Sequence, residues 1–126
     1  MRPQTLAEVA ELTLRGESFD LCLENFLDEF YGHPNVAALA AEPPRLNRQF
    51  PKEGLVEDAY LAAVAESLAQ SAGLDTPSWA YAEDRKLRKP WFALPYAGLR
   101  AVLLLESPAA FRSRNLFVSA NALTRV

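Results

Sequence analysis

The chain has 126 residues, half of them hydrophobic and 23% charged, with a formal net charge of −3, one cysteine and one histidine. That length suits one domain over residues 1–126 with a single core, and the apolar content excludes a disordered chain. The longest unbroken apolar run, Ala101 to Leu105, is far below the about 18–20 residues that span a bilayer. With acids in the N-terminal segment where a signal peptide needs apolar residues, this predicts a cytoplasmic protein with no membrane partner.

Thr5 to Arg15 carries Leu6, Val9, Ala10 and Leu12 at helical spacing, and Gly16 stops it. Ser18 caps a second predicted helix whose stripe of Phe19, Cys22, Leu23, Phe26, Leu27, Phe30 and Tyr31 must face a core. Asp20, Glu24, Asp28 and Glu29 then face water or a partner, and Gly32-His33-Pro34 ends the helix. A short helix is predicted from Asn35 through Glu42. Pro43-Pro44 and the polar run to Gly54 follow as a mobile connector.

Leu55 to Ala72 is rich in alanine and free of internal glycine and proline, so it predicts a long helix closed by a left-handed Gly73. Thr76-Pro77 and Ser107-Pro108 each read as a capping residue followed by a proline in the first helical turn. Between them, Gly98 to Glu106 reads as a buried helix, although periodicity alone leaves Ala101 to Leu105 open as a short strand. Helix is favoured because the nearest pairing segment, Asn115 to Val118, is only four residues long. The predicted fold is an all-α bundle of about five or six helices, with room for a short extended segment near the C-terminus.

Charge divides the chain. Residues 1–76 hold five Lys/Arg and thirteen Asp/Glu, net −8, whereas residues 77–126 hold eight and three, net +5. Such a split marks either an interaction surface or two halves that neutralise each other within one domain.

The first two helices have the order of a helix-turn-helix unit, but the acidic face of the second would meet a phosphate backbone with like charge. One cysteine and one histidine supply no zinc set, and the five glycines are isolated, so no phosphate loop and no cofactor are expected. Cys22 reads as a buried thiol and His33 as a helix-terminal residue. Glu24 with Asp28, or Glu57 with Asp58, could serve acid–base chemistry in a small enzyme, although an exposed acidic face is the commoner use of such pairs.

DRKLRKPWF mixes cations with aromatic rings, making Lys86, Arg88, Lys89 and Trp91 the candidates for a single-stranded nucleic-acid groove, against a reading of Trp91 as a core anchor. In LESPAAFRSRNLFVSAN, Ser107 caps, Phe111 points inward, and Arg112, Arg114 and Asn115 are the candidates for binding another protein. A homo-oligomer is the other arrangement open to such a surface.

TLAEVAEL, SFDLCLENFLDEFY, DAYLAAVAESLA, GLDTPSW, KPWF and LRAVLLLESPAAFRSRNLFVSANAL together resemble a small bacterial family of unassigned activity. In that family the region stands alone or forms the C-terminal part of helix-turn-helix regulators, and stand-alone members are often encoded beside nucleotidyltransferase-like genes of toxin–antitoxin type. The resemblance implies a non-enzymatic, antitoxin-like or regulatory module whose partner is a protein of that nucleotidyltransferase-like kind. Residues 1–126 depart from the fused form in showing no separate DNA-reading domain, so direct operator binding is not expected of them.

Overall fold

The computed structural model describes residues 2–94 and 97–125, and these form six α-helices and one two-stranded parallel sheet. Helix α1, Leu6–Leu14, begins at Thr5, whose hydroxyl accepts from the Glu8 amide, 3.1 Å, while the Glu8 carboxylate accepts from the Gln4 amide, 3.1 Å. Helix α2, Phe19–Gly32, is capped by Ser18 as its sequence predicts, and Phe19, Cys22, Leu23, Phe26, Leu27 and Phe30 are buried along one face. The His33 amide closes it by donating to the Glu29 and Phe30 carbonyls.

A single turn, α3 (Ala37–Ala40), follows. It is held by the Asn35 side chain, which accepts from the Ala38 amide at 2.9 Å. The connector to α4 is not the loose segment expected from its composition. Leu46 is fully buried within it, and the Asp58 carboxylate accepts from the Leu46 amide, 2.7 Å, the Asn47 amide, 3.2 Å, and the Asn47 side chain, 2.7 Å. Asp58 is 0% exposed, so the reading of Glu57 and Asp58 as one exposed acidic face is corrected at Asp58.

Helix α4, Glu53–Ala72, starts two residues earlier than predicted and ends at Gly73 in the left-handed conformation, φ 69°. It runs through the middle of the core, with Ala59, Leu61, Ala62, Ala63, Val64 and Ala65 all buried. Small side chains let neighbours pack closely on several sides. At its first turn a Cβ on Gly54 would lie 2.5 Å from the Leu46 carbonyl, so only glycine admits the connector there.

Thr76-Pro77 opens a 3-10 turn, Ser78–Tyr81, rather than the helix its proline predicted, and a second such turn spans Glu83–Arg85. Strand β1, Trp91–Phe92, pairs in parallel with β2, Leu116–Phe117, in the register Trp91 to Leu116 and Phe92 to Phe117. The stacked Phe92 and Phe117 rings, 5.1 Å apart, close this pair.

A 3-10 turn, Ala97–Leu99, leads into α5, Arg100–Glu106, and α6, Ala109–Arg112, precedes β2. Ala101 to Leu105 is therefore helical, but α5 is not the buried helix expected. Only Leu103 of it is buried. Ser107 does not cap α6: its hydroxyl donates to the Leu116 carbonyl, 3.0 Å, and accepts from the Val118 amide, 3.2 Å, tying the α5–α6 corner to β2 and the residue after it. No helix among the described residues is long and apolar enough to cross a membrane.

Candidate interaction surface and groove

The residues expected to meet a partner fall into different environments. Arg114 is 1% exposed. Its guanidinium donates to Glu66 of α4, 2.7 Å, to the Ala110 carbonyl, 2.6 Å, and to the Ala80 carbonyl, 2.8 Å, and lies 5.9 Å from the Tyr81 ring centroid. A partner cannot reach it without opening the core, so its place as a binding residue is corrected: it joins α4, α6 and the first 3-10 turn. Asn115 is half-buried at φ 62°, and its side chain donates to the Leu87 carbonyl, 2.7 Å. It bends the chain from α6 into β2, and only Arg112 of the three is exposed.

A second buried arginine went unnoticed in the sequence. Arg85 is fully enclosed, donating to the Asp58 carbonyl, 3.1 Å, and the Pro43 carbonyl, 2.6 Å, with Glu42 at 3.6 Å and the Trp79 ring at 4.8 Å. Burial and the neighbouring Arg45 pull its pKa down. Trp79 is the true core tryptophan, its indole donating to the Leu39 carbonyl at 2.9 Å, whereas Trp91 is half-buried in β1. Of the nucleic-acid candidates, Lys86, Arg88 and Lys89 are exposed, and Lys86 pairs with Glu83 at 3.3 Å.

Two surface features remain. The first is α5, where Val102, Leu104 and Leu105 are 48%, 46% and 84% exposed, with Leu99 and Leu94 exposed before it. Arg100 at its start lies over the Phe92 ring, 5.0 Å, and Arg88, Lys89, Arg100 and Arg112 form no ion pair among the described residues. The apolar helix thus sits in a stretch of chain whose cations are not neutralised internally.

The second is a groove of about 630 Å³ between α2, α4, the start of the 93–94 turn and the C-terminal segment 118–125. Phe19, Leu23, Val56, Tyr60 and Trp91 supply its apolar wall, and Asp20, Glu53 and Glu57 lie on it as carboxylates. Desolvation, with Asp20, Asp58 and Glu53 nearby, pushes Glu57 up to about 7. Burial and Asp20 also raise the Tyr60 hydroxyl. At the other end Arg125 donates to Asp28, 2.9 Å, and lies 3.8 Å from Glu24. Among the described residues no three or more His, Cys, Asp and Glu side chains gather closely enough to hold a metal ion. No family model, curated protein or solved structure matches the chain.

Proposed function

We propose that the chain is a non-enzymatic protein-interaction module, antitoxin-like or regulatory, which docks a partner protein through α5. The observation that carries this reading is the outward apolar face of that helix. Large apolar side chains collected on one exposed element mark interaction sites far more often than scattered ones do. Leu105 at 84% exposure gains nothing from the fold of its own chain.

The partner surface that suits α5 is an apolar groove with an acidic rim, because Arg88, Lys89, Arg100 and Arg112 leave this part of the chain cationic. The family resemblance supplies a partner to try, a nucleotidyltransferase-like protein of the kind often encoded beside stand-alone members of that family. Calorimetric titration of that protein with the wild-type chain should give a saturable complex. Val102→Asp with Leu105→Asp should weaken it by about tenfold or more, leaving the urea midpoint unchanged, since truncating interface anchors costs about 1–2 kcal/mol or more each. A complex indifferent to the two aspartates, or no complex at all, overturns docking through α5.

The single-stranded nucleic-acid alternative is less well supported. Trp91, the ring such a groove would stack upon, lies on a wall shared with Asp20, Glu53 and Glu57, where phosphates are repelled.

A further inference from the structure

We propose that the cleft between α2 and α4 is a peptide-binding site held shut by the chain's own residues 119–125, and that it takes a partner polypeptide segment bearing a leucine and, two residues later, an arginine. This is independent of docking through α5, which contributes no residue to the cleft.

The observation that carries it is a polypeptide already seated there. Val118 is buried, but none of residues 119–125 is, and none lies in a helix or strand. The backbone bonds of this strap are its own, from the Ala122 amide to the Ser119 carbonyl and from the Thr124 amide to the Asn121 carbonyl. Among the described residues no backbone–backbone hydrogen bond joins it to the rest of the chain. Side chains of α2 hold it instead: the Tyr31 hydroxyl donates to the Leu123 carbonyl, 2.8 Å, and Arg125 donates to Asp28, 2.9 Å, with Glu24 at 3.8 Å. Glu24, Asp28 and Tyr31 follow at spacings of four and three residues, which puts them on one face of the helix. Ala122 and Leu123 add apolar packing against the core.

The strap divides the cleft. On one side is a space of about 720 Å³ bordered by Asp28 and Tyr31 of α2 and by Ser67, Leu68 and Ser71 of α4, and on the other is the groove already described. Thr124 and Arg125 border both, so lifting the strap joins the two spaces. Exposed ion pairs hold weakly, and a segment with few buried contacts opens far more readily than the core.

The groups that hold the strap also define what replaces it. Arg125 meets Asp28 through two nitrogens, Nε to one carboxylate oxygen at 2.9 Å and a terminal nitrogen to the other at 3.3 Å. That forked geometry selects arginine over lysine, which offers only a point charge. A replacing segment must also set an apolar side chain where Leu123 packs and a carbonyl before the Tyr31 hydroxyl. Its affinity for the wild-type chain is lowered by the fraction of time the cleft is open.

The test uses the full chain and an acetylated, amidated peptide of residues 119–125, followed by amide NMR shifts. Leu123→Asp with Arg125→Asp sets a charge in an apolar contact and a repulsion against Asp28, which should lift the strap while the buried core stays folded. This variant should bind the peptide saturably, with shifts at Asp28, Tyr31 and Leu68 and a Kd near or below about 1 mM. The wild-type chain should bind it at the same residues at least about fivefold more weakly, because its own strap competes at an effective concentration of about millimolar. A peptide carrying Arg125→Lys should lose at least about threefold on the open variant, and adding Asp28→Asn to that variant should erase the difference between the two peptides. Equal affinity for the wild-type and open chains, no preference for arginine, or no saturable binding overturns the proposal. Loss of cooperative unfolding in the open variant also overturns it, by making the strap part of the core. A wild-type dimer that forms at high concentration and is lost in the open variant overturns it in favour of strap exchange between two copies.

Discussion

Arg112 and Arg114 are two residues apart in the chain and opposite in consequence. Arg114 is charged, buried and answered by Glu66 and two carbonyls, so Arg114→Ala leaves a carboxylate and two acceptors facing an empty space. Breaking such a pair should cost about 3–5 kcal/mol in urea unfolding, while the exposed Arg112→Ala should stay within about 0.5 kcal/mol. Reversing both charges should unfold the domain, and a double reversal that melts like wild type would place Arg114 at the surface after all. The same contrast separates the tryptophans. Trp79→Ala should cost about 3–5 kcal/mol, and the half-buried Trp91 less. Sequence alone could not rank either pair, because an arginine is drawn inside by carbonyls brought from distant parts of the chain, here Ala80, and that convergence has no local signature.

At the scale of elements, the legible parts were those whose signal is local. Ser18 caps α2, the Phe19 to Phe30 stripe faces the core, and an alanine-rich run ending at glycine is α4. The misread parts depend on what lies opposite. Ser107 and Pro108 look like a helix start, yet the serine serves β2; α5 reads as buried because it is apolar, yet only its Leu103 is covered, and Val102, Leu104 and Leu105 stay exposed. The groove was half legible. Asp20 and Glu57 were recognised as acidic helix positions, but their meeting across α2 and α4 is tertiary.

That meeting has a measurable signature. Glu57 keeps its proton up to about pH 7 in the native state, whereas the unfolded chain releases it near 4.5. Its raised pKa therefore contributes stability that is complete below about 4.5 and is lost as the pH rises to about 7. The urea midpoint of Glu57→Gln should accordingly gain on wild type across that window. Asp28, Glu42 and Asp84, each held below the usual carboxylate range first by hydrogen bonds from arginine, act oppositely: their contribution is present above about pH 4 and lost in acid. A Glu57→Gln difference that is flat with pH would mean that the glutamate is solvated and the groove open to water.

For the whole molecule, the charge split resolves in part into internal ties. The basic half sends Arg85 to Glu42, Arg114 to Glu66 and Arg125 to Asp28, and the acidic half returns Arg45 to Asp84 through a bidentate pair at 2.9 Å. These ties differ in depth: Arg114 is 1% exposed and Arg125 is 33% exposed at the side chain. Salt distinguishes them, since raising it from about 0.1 M to about 1 M shortens the screening length from about 10 Å to about 3 Å in water but barely reaches a buried pair. The destabilisation caused by Glu66→Gln should therefore be the same at both salt concentrations to within about 0.5 kcal/mol, whereas the smaller one of Arg125→Gln should fade at high salt. If the Glu66→Gln penalty also disappears at high salt, the two halves are held by solvated charge. Otherwise the charge that residues 77–126 offer a partner resides mainly in Arg88, Lys89, Arg100 and Arg112, which form no ion pair among the described residues.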